Sequence, residues 1–214
     1  MGLERAAPRH GGGEGPCVGV AGVVLAAGSS SRMGENKLLL PLGGSTVLRR
    51  AVAAAVAGGL DPVLVVLGHE SERARAELVG LACQPVLNPD HARGINSSLR
   101  AGIAAVPVGC AAAVVMLADM PFVTAEMVGA VVERYRSGGA PLVLSVYGDV
   151  LAPPTLYARA LFPELSAPEG EGCGKKVMKR HRGEALEVAW PASRLADLDV
   201  PADVDLVRGR LEGS

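Results

Sequence analysis

The chain has 214 residues, of which 49% are hydrophobic and 20% charged, with 28 Gly, 15 Pro, one Trp, three Tyr and two Phe. An aliphatic content of this size buries a continuous core in one domain, which excludes a disordered or low-complexity chain. The net charge of −1 excludes binding of nucleic acid or acidic lipid through bulk positive charge, so a bound anion must be held by a local arrangement.

Residues 1–16, with Gly11, Gly12 and Gly13 in a row, read as a flexible leader ahead of a single domain over 17–214. Arg5 and Arg9 before the apolar run Val18–Ala27 loosely imitate a secretory signal. The run starts late and contains Gly19 and Gly22, so it reads better as a buried first strand entering a glycine turn. From there short apolar runs alternate with Ala-rich helical segments. The strands are expected at Gly19–Leu25, Pro62–Leu67, Gln84–Leu87, Ala112–Ala118, Leu142–Val146 and Ala185–Ala189. The helices are expected at Thr46–Ala57, Glu70–Val79, Ile95–Ala105, Thr124–Tyr135, Thr155–Phe162, Lys175–His181 and Ala202–Arg210. This alternation implies an α/β fold with a mostly parallel central sheet covered on both faces, its strands apolar throughout. No apolar stretch reaches the roughly 18 residues of a membrane helix, so no membrane partner is expected. Four cysteines (Cys17, Cys83, Cys110 and Cys173) without a C-x-x-C pair suit a reduced, cytoplasmic protein.

Ligands of open α/β sheets collect at the carboxyl ends of the strands, which directs attention to the segments after Leu25, Leu67, Leu87 and Ala118. The first runs L-A-A-G-S-S-S-R-M-G-E-N-K (Leu25–Lys37). Gly28 lets backbone N–H groups approach a phosphate chain, and Arg32 and Lys37 add a forked and a compact positive charge. Neither G-x-G-x-x-G nor the Walker pattern is present. Asp119, directly after Ala112–Ala118, suits either a hard cation or the capping of the next turn. Asn88–Leu99 contains Gly94, Ser97 and Ser98 ahead of or within a helix, which suits either a base edge or helix capping. Asp197-Leu198-Asp199-Val200-Pro201 offers a further carboxylate in a turn. His69, His91 and His181 have no ligand spacing and read as loop or helix-end residues, and Met116, Met120 and Met127 read as core.

Taken together, these segments resemble the molybdenum-cofactor nucleotidyltransferases of the NTP-transferase superfamily, in particular their cytidylyltransferase branch. The resemblance runs in order from Val18 to Arg210. It rests on L-A-A-G-S-S-S-R-M-G-E-N-K-L-L-L-P (Leu25–Pro41), G-H-E (Gly68–Glu70) and N-P-D-H-A-R-G-I-N-S-S-L-R-A-G (Asn88–Gly102). A-D-M-P-F-V (Ala118–Val123), L-F-P-E-L (Leu161–Leu165) and D-L-D-V-P-A-D-V (Asp197–Val204) extend it. It implies a three-layer α/β/α fold like that of nucleotide-diphospho-sugar transferases, with a nucleotide-binding half over about 17–124 and an acceptor-binding half over about 125–214. It also implies transfer of CMP from CTP to the terminal phosphate of a molybdopterin-type acceptor, with Mg²⁺ and release of pyrophosphate. Arg32, Lys37 and Asp119 would be catalytic, with Arg32 on the outer phosphates, Lys37 on the α-phosphate, and Asp119 and Asp199 on the metal. Leu25, Ala26, Ala27, Gly28, Gly94 and Ser98 would complete the nucleotide site, and Ala27 favours CTP over GTP. A molybdoenzyme or its chaperone would receive the product. The acceptor half departs from the family: Leu151-Ala152-Pro153 stands for a Gly-[His/Asn]-Pro step, and Glu171 and Cys173 replace residues of G-D-x-G-A-[RK]. The alternatives are another phosphorylated acceptor, GTP as donor, or a cofactor-binding protein that delivers without catalysis.

Overall fold

The computed structural model describes residues 19–29, 36–167 and 174–196. The expected leader, Cys17, Arg32, Glu171, Cys173, Asp199 and the helix expected at Ala202–Arg210 lie outside the described residues.

The chain enters through β1 (Val20–Ala26), then a single 3-10 turn (Lys37–Leu39) and a two-strand hairpin of β2 (Pro41–Leu42) and β3 (Ser45–Thr46). Helix α1 (Val47–Ala57) follows, capped by Thr46 Oγ1, which accepts from Arg49 N at 3.3 Å. Then come β4 (Val63–Leu67), α2 (Ser71–Glu77), β5 (Gln84–Leu87), α3 (Ile95–Ala104) and β6 (Ala112–Leu117). Helix α4 (Ala125–Gly138) is capped by Thr124 and stops at Gly139, whose φ of 64° is left-handed. Strands β7 (Leu142–Tyr147) and β8 (Val150–Ala158), short helix α5 (Phe162–Leu165), α6 (Gly174–Arg180) and β9 (Leu186–Trp190) complete the described elements.

Seven strands form one sheet in the order β5-β4-β1-β6-β8-β7-β9. Among them β8 alone runs against the rest, pairing antiparallel with both β6 and β7, while β1, β4, β5 and β6 pair in parallel and β9 is parallel to β7. The central strands are apolar on both sides because both sides are covered. Val20, Val24, Val63, Val65, Val114 and Met116 pack with α1 and α4. Ala21, Val23, Leu25, Leu64, Val66 and Val115 face α3, α5 and α6. Met116, Met120 and Met127 are buried in the first of these layers, as their sequence context suggested.

Two expectations fail. Thr155–Phe162 is not a helix: Thr155–Ala158 belongs to β8, followed by a 3-10 turn over Arg159–Leu161 and only then α5. Pro153 and Pro154, which have no N–H to donate to a ladder, fall where the β7–β8 register shifts between Val143 and Ser145. Their carbonyls accept from side chains instead, Pro154 O from Ser145 Oγ at 2.7 Å and Pro153 O from Tyr147 Oη at 2.8 Å. Secondly, the edge strands β5 and β9 are not buried on both faces: Gln84, Pro85 and Leu87 are exposed on one, Glu187 and Ala189 on the other.

Helix α3 approaches the sheet closely because residue 102 has no side chain. A Cβ on Gly102 would stand 2.4 Å from Val23 Cγ1 and 3.0 Å from Val66 Cγ2. Gly102→Val should therefore destabilise the protein by about 2–3 kcal/mol through overpacking, since Val regains little helix propensity over Gly. Urea denaturation checks this, and an unchanged midpoint would show that the helix–sheet spacing is not tight here.

Candidate active site

The strand order turns at β1: β4 and β5 lie on one side, and β6 crosses to the other. Such a reversal opens a crevice at the carboxyl ends. Here it is a cavity of about 440 Å³ lined by residues 25–29, Lys37, Leu38, His91, Ala92, Gly94, Ile95, Ser98, Leu117 and Asp119. Its walls come from the end of β1, the turn before β2, the segment between β5 and α3 with the start of that helix, and the end of β6.

Each polar group is aimed by its local structure. Ala118 N donates to Leu25 O at 3.1 Å, which ties the end of β6 to β1, and both Ala118 and Met120 are buried. Asp119 sits between these two anchors and presents its carboxylate to the cavity. Lys37 starts the 3-10 turn, whose N–H at Leu38 is accepted by the buried Asn36 side chain at 3.2 Å and whose Leu38 is buried. The two meet: Lys37 Nζ lies 2.6 Å from Asp119 Oδ2, their side chains 14% and 23% exposed. A charge-assisted pair this short keeps both ionic groups compensated at a partly buried place. The carboxylate therefore makes an ion pair across the cavity.

At the opposite wall Gly94 enters α3 with φ 96° and ψ 179°, a backbone region that essentially only glycine occupies. The serines behind it do not cap the helix. Ser97 Oγ lies 2.9 Å from Asp90 O and 2.8 Å from Gly94 O, within donor reach of each. Ser98 Oγ accepts from the buried Asn88 Nδ2 at 3.1 Å, and Asn88 holds Ser97 Oγ in the same way at 2.9 Å. Asn88 thus engages a lone pair of Ser98 Oγ, and Ser98 lines the cavity.

Gly28 differs from Gly94. Its φ is not in the left-handed region, and a Cβ there would meet no atom of the described residues within 4 Å. Among the described residues, neither backbone conformation nor neighbouring side chains call for a glycine at that point of the lining.

The structure thus brings Leu25, Ala26, Ala27, Gly28, Lys37, Gly94, Ser98 and Asp119 to one cavity. Arg32 and Asp199 lie outside the described residues. His91, read from sequence as a loop residue, also lines the cavity, as do Leu38, Ala92, Ile95 and Leu117. Spacing carried no signal for His91, because what brings it there is contact between loops distant in sequence. Behind this wall Glu70 adopts a left-handed φ of 48° and is ion-paired with Arg73. The Arg73 guanidinium is the main reason its carboxyl is held below the ordinary carboxylate range; partial burial opposes this and the Asn36 side chain supports it.

Residues 22–185 match the family described as MobA-like NTP transferase domain. The chain belongs to that family. Purine catabolism protein PucB of Bacillus subtilis (strain 168) is 30% identical over 205 residues, which is 87% of this chain and 95% of PucB. A probable molybdenum cofactor guanylyltransferase of Opitutus terrae is 32% identical over 58% of this chain and 59% of its own length. Other curated relatives, the bifunctional GlmU proteins, are longer, and the chain spans a third or less of them. Among solved structures, Rv0371c of Mycobacterium tuberculosis H37Rv superposes with a TM-score of 0.78 at 28% identity, over 90% of this chain and 98% of that one. A manganese complex of Rv0371c is similar as well, with a TM-score of 0.69. The chain is accordingly a nucleotidyltransferase with the nucleotide-diphospho-sugar transferase fold.

The metal question turns on the donor set. Among the described residues no three His, Cys, Asp or Glu side chains gather into a cage. Asp119 instead offers one hard oxygen donor at the edge of a roomy cavity, the arrangement that suits a divalent cation sharing its shell with substrate phosphates and water. Among the described residues, no helix is long and apolar enough to cross a membrane.

Proposed function

We propose that the protein transfers CMP from CTP to the terminal phosphate of a molybdopterin-type acceptor, releasing pyrophosphate. The observation that carries this reading is the Lys37–Asp119 pair at 2.6 Å, set in the same cavity as the open Gly28 turn and Ser98. An ammonium and a carboxylate that neutralise each other in the free protein can exchange partners when a triphosphate and its cation enter.

Two anions must meet in this reaction. At 4 Å two unit charges repel by about 1 kcal/mol in water and about 4 kcal/mol at the dielectric of a protein surface. The acceptor phosphate is already anionic near neutral pH, so no general base is required. An acceptor oxygen forms the new bond to the α-phosphorus, the bond from that phosphorus to the bridging oxygen breaks, and pyrophosphate carries the electron pair away. Lys37 follows the α-phosphate as a compact charge, Arg32 covers the outer phosphates, and the backbone at residues 26–28 supplies N–H donors. Asp119, joined by Asp199, would hold Mg²⁺, which supplies further neutralisation of the triphosphate. Gly94, Ser98 and Leu25–Ala27 line the base end, and Ala27 supports CTP over GTP. The catalysis is electrostatic and positional.

A second reading keeps the nucleotide site and changes the acceptor to another phosphorylated compound. It is favoured by β8, where Ala152 packs against the core and offers no polar side chain at the family's Gly-[His/Asn]-Pro step. Both readings are tested by pyrophosphate release from CTP or GTP, with and without Mg²⁺, using molybdenum cofactor and a panel of sugar and polyol phosphates as acceptors. Turnover of CTP that depends on molybdenum cofactor supports the first. Consumption of a sugar phosphate while the cofactor stays unmodified overturns it, and a preference for GTP overturns the choice of base.

A further inference from the structure

The segment after β4 contributes no lining to the cavity, yet it supports two of its walls. A Cβ on Gly68 would stand 2.5 Å from His91 Cβ, 2.6 Å from His91 Cγ and 2.9 Å from Ala27 Cβ, closer than carbon atoms pack. The φ of Gly68 is not left-handed, so its backbone does not call for glycine; the approach of His91 and Ala27 does. Next in sequence, His69 N donates to Ala27 O at 3.4 Å, and the His69 ring lies 6.3 Å from the His91 ring, tilted by 49°. His91 N donates in turn to Asn88 O at 3.3 Å, which fixes its backbone beside the residue that holds Ser98. The imidazole of His91 is thus seated from behind on bare glycine backbone and lines the cavity beside Ala92 and Gly94.

We propose that His91 is a nucleotide-contacting residue, its imidazole packing on the base and ribose, and that Gly68 is the positioning residue that seats it. The inference rests on nucleotide transfer taking place in this cavity. A flat ring with an apolar body and polar edge suits a heterocycle and its sugar. No proton transfer is assigned to it, because the acceptor phosphate needs no base. The consequence is a split between binding and turnover. His91 contributes equally to ground and transition states, so its loss raises KM and leaves kcat.

The test measures CTP binding by calorimetry and the kinetics of pyrophosphate release, both with Mg²⁺, for the whole protein and its variants. His91→Ala should raise the Kd and KM for CTP by roughly 5- to 50-fold with kcat within about twofold, and His91→Phe, which keeps a flat ring, should recover most of the loss. Gly68→Ala should raise KM in the same way, since its Cβ would displace His91. If Gly68→Ala does not fold, the two His91 variants decide alone. A KM within twofold of wild type for His91→Ala, or a fall in kcat with KM unchanged, overturns the inference while leaving the nucleotide site intact. Wild-type protein that binds none of CTP, GTP, UTP and ATP would overturn the underlying reading, and this inference with it.

Discussion

Lys37→Ala is expected to lower the rate of pyrophosphate release by roughly 10²- to 10³-fold at saturating CTP, the usual cost of removing one donor aimed at developing charge. The residue is well suited to that role because the turn beneath it does not depend on its side chain. Asn36 caps the turn through Leu38 N, and Leu38 supplies the buried anchor. Removing the ammonium leaves Asp119 without this partner, but that carboxylate is 23% exposed and water can reach it. The stability loss should therefore be about 1 kcal/mol or less, a fall in Tm of about 2–4 °C at most. Lys37→Met, with a similar stem and no charge, should be as inactive as Lys37→Ala. Stopped-time pyrophosphate assays together with thermal melts separate the two quantities. A variant that turns over at near the wild-type rate would remove Lys37 from the reacting phosphate.

What could be read before any coordinates was governed by which interactions are local. The runs that became β1, β4 and β6 are apolar without alternation because they are covered on both faces, and that property is written in consecutive residues. Helices α1 and α4 announce themselves through Thr46 and Thr124, each placed to accept an N–H three residues on. Strand β8 was hidden for the opposite reason. Pro153 and Pro154 donate nothing to a ladder, and their place in it depends on Ser145 and Tyr147 of the neighbouring strand, which only pairing brings within 2.7 and 2.8 Å. The β2–β3 hairpin, turning through Gly43 and Gly44 at φ 59° and 77°, is absent from the expected elements because its two-residue strands are too short to carry a pattern.

The candidate site divides along the same line. Gly28 and Asp119 follow the carboxyl ends of β1 and β6, where topology concentrates ligands, and Lys37 closes the sequence segment that Gly28 opens. His91 is brought to the cavity by Gly68, 23 positions away, through a steric relation that no spacing rule contains. The role of Asn88 is likewise one of contact: a buried amide holding two hydroxyls looks in sequence like an ordinary turn residue before proline.

Asp119→Asn keeps the volume of the side chain and removes its charge, so it separates two functions that the Lys37–Asp119 pair combines. If Asp119 serves as the cation ligand, the variant should lose roughly 10²-fold or more in turnover, and its dependence on Mg²⁺ should move to higher concentration. Raising Mg²⁺, or substituting Mn²⁺, should recover part of the rate. If Asp119 serves only to hold Lys37 in place, no concentration of cation restores activity. The double variant Lys37→Ala/Asp119→Asn would then match Lys37→Ala alone, because groups acting as one unit do not add. The proposed reading expects cation rescue of Asp119→Asn and a double variant slower than either single one. Asp119 lies outside the core, between the buried Ala118 and Met120 that fix the turn, so its replacement should leave urea denaturation within about 1 kcal/mol of wild type. Turnover of Asp119→Asn at the wild-type rate with an unaltered Mg²⁺ dependence would show that the carboxylate at the end of β6 takes no part in holding the cation.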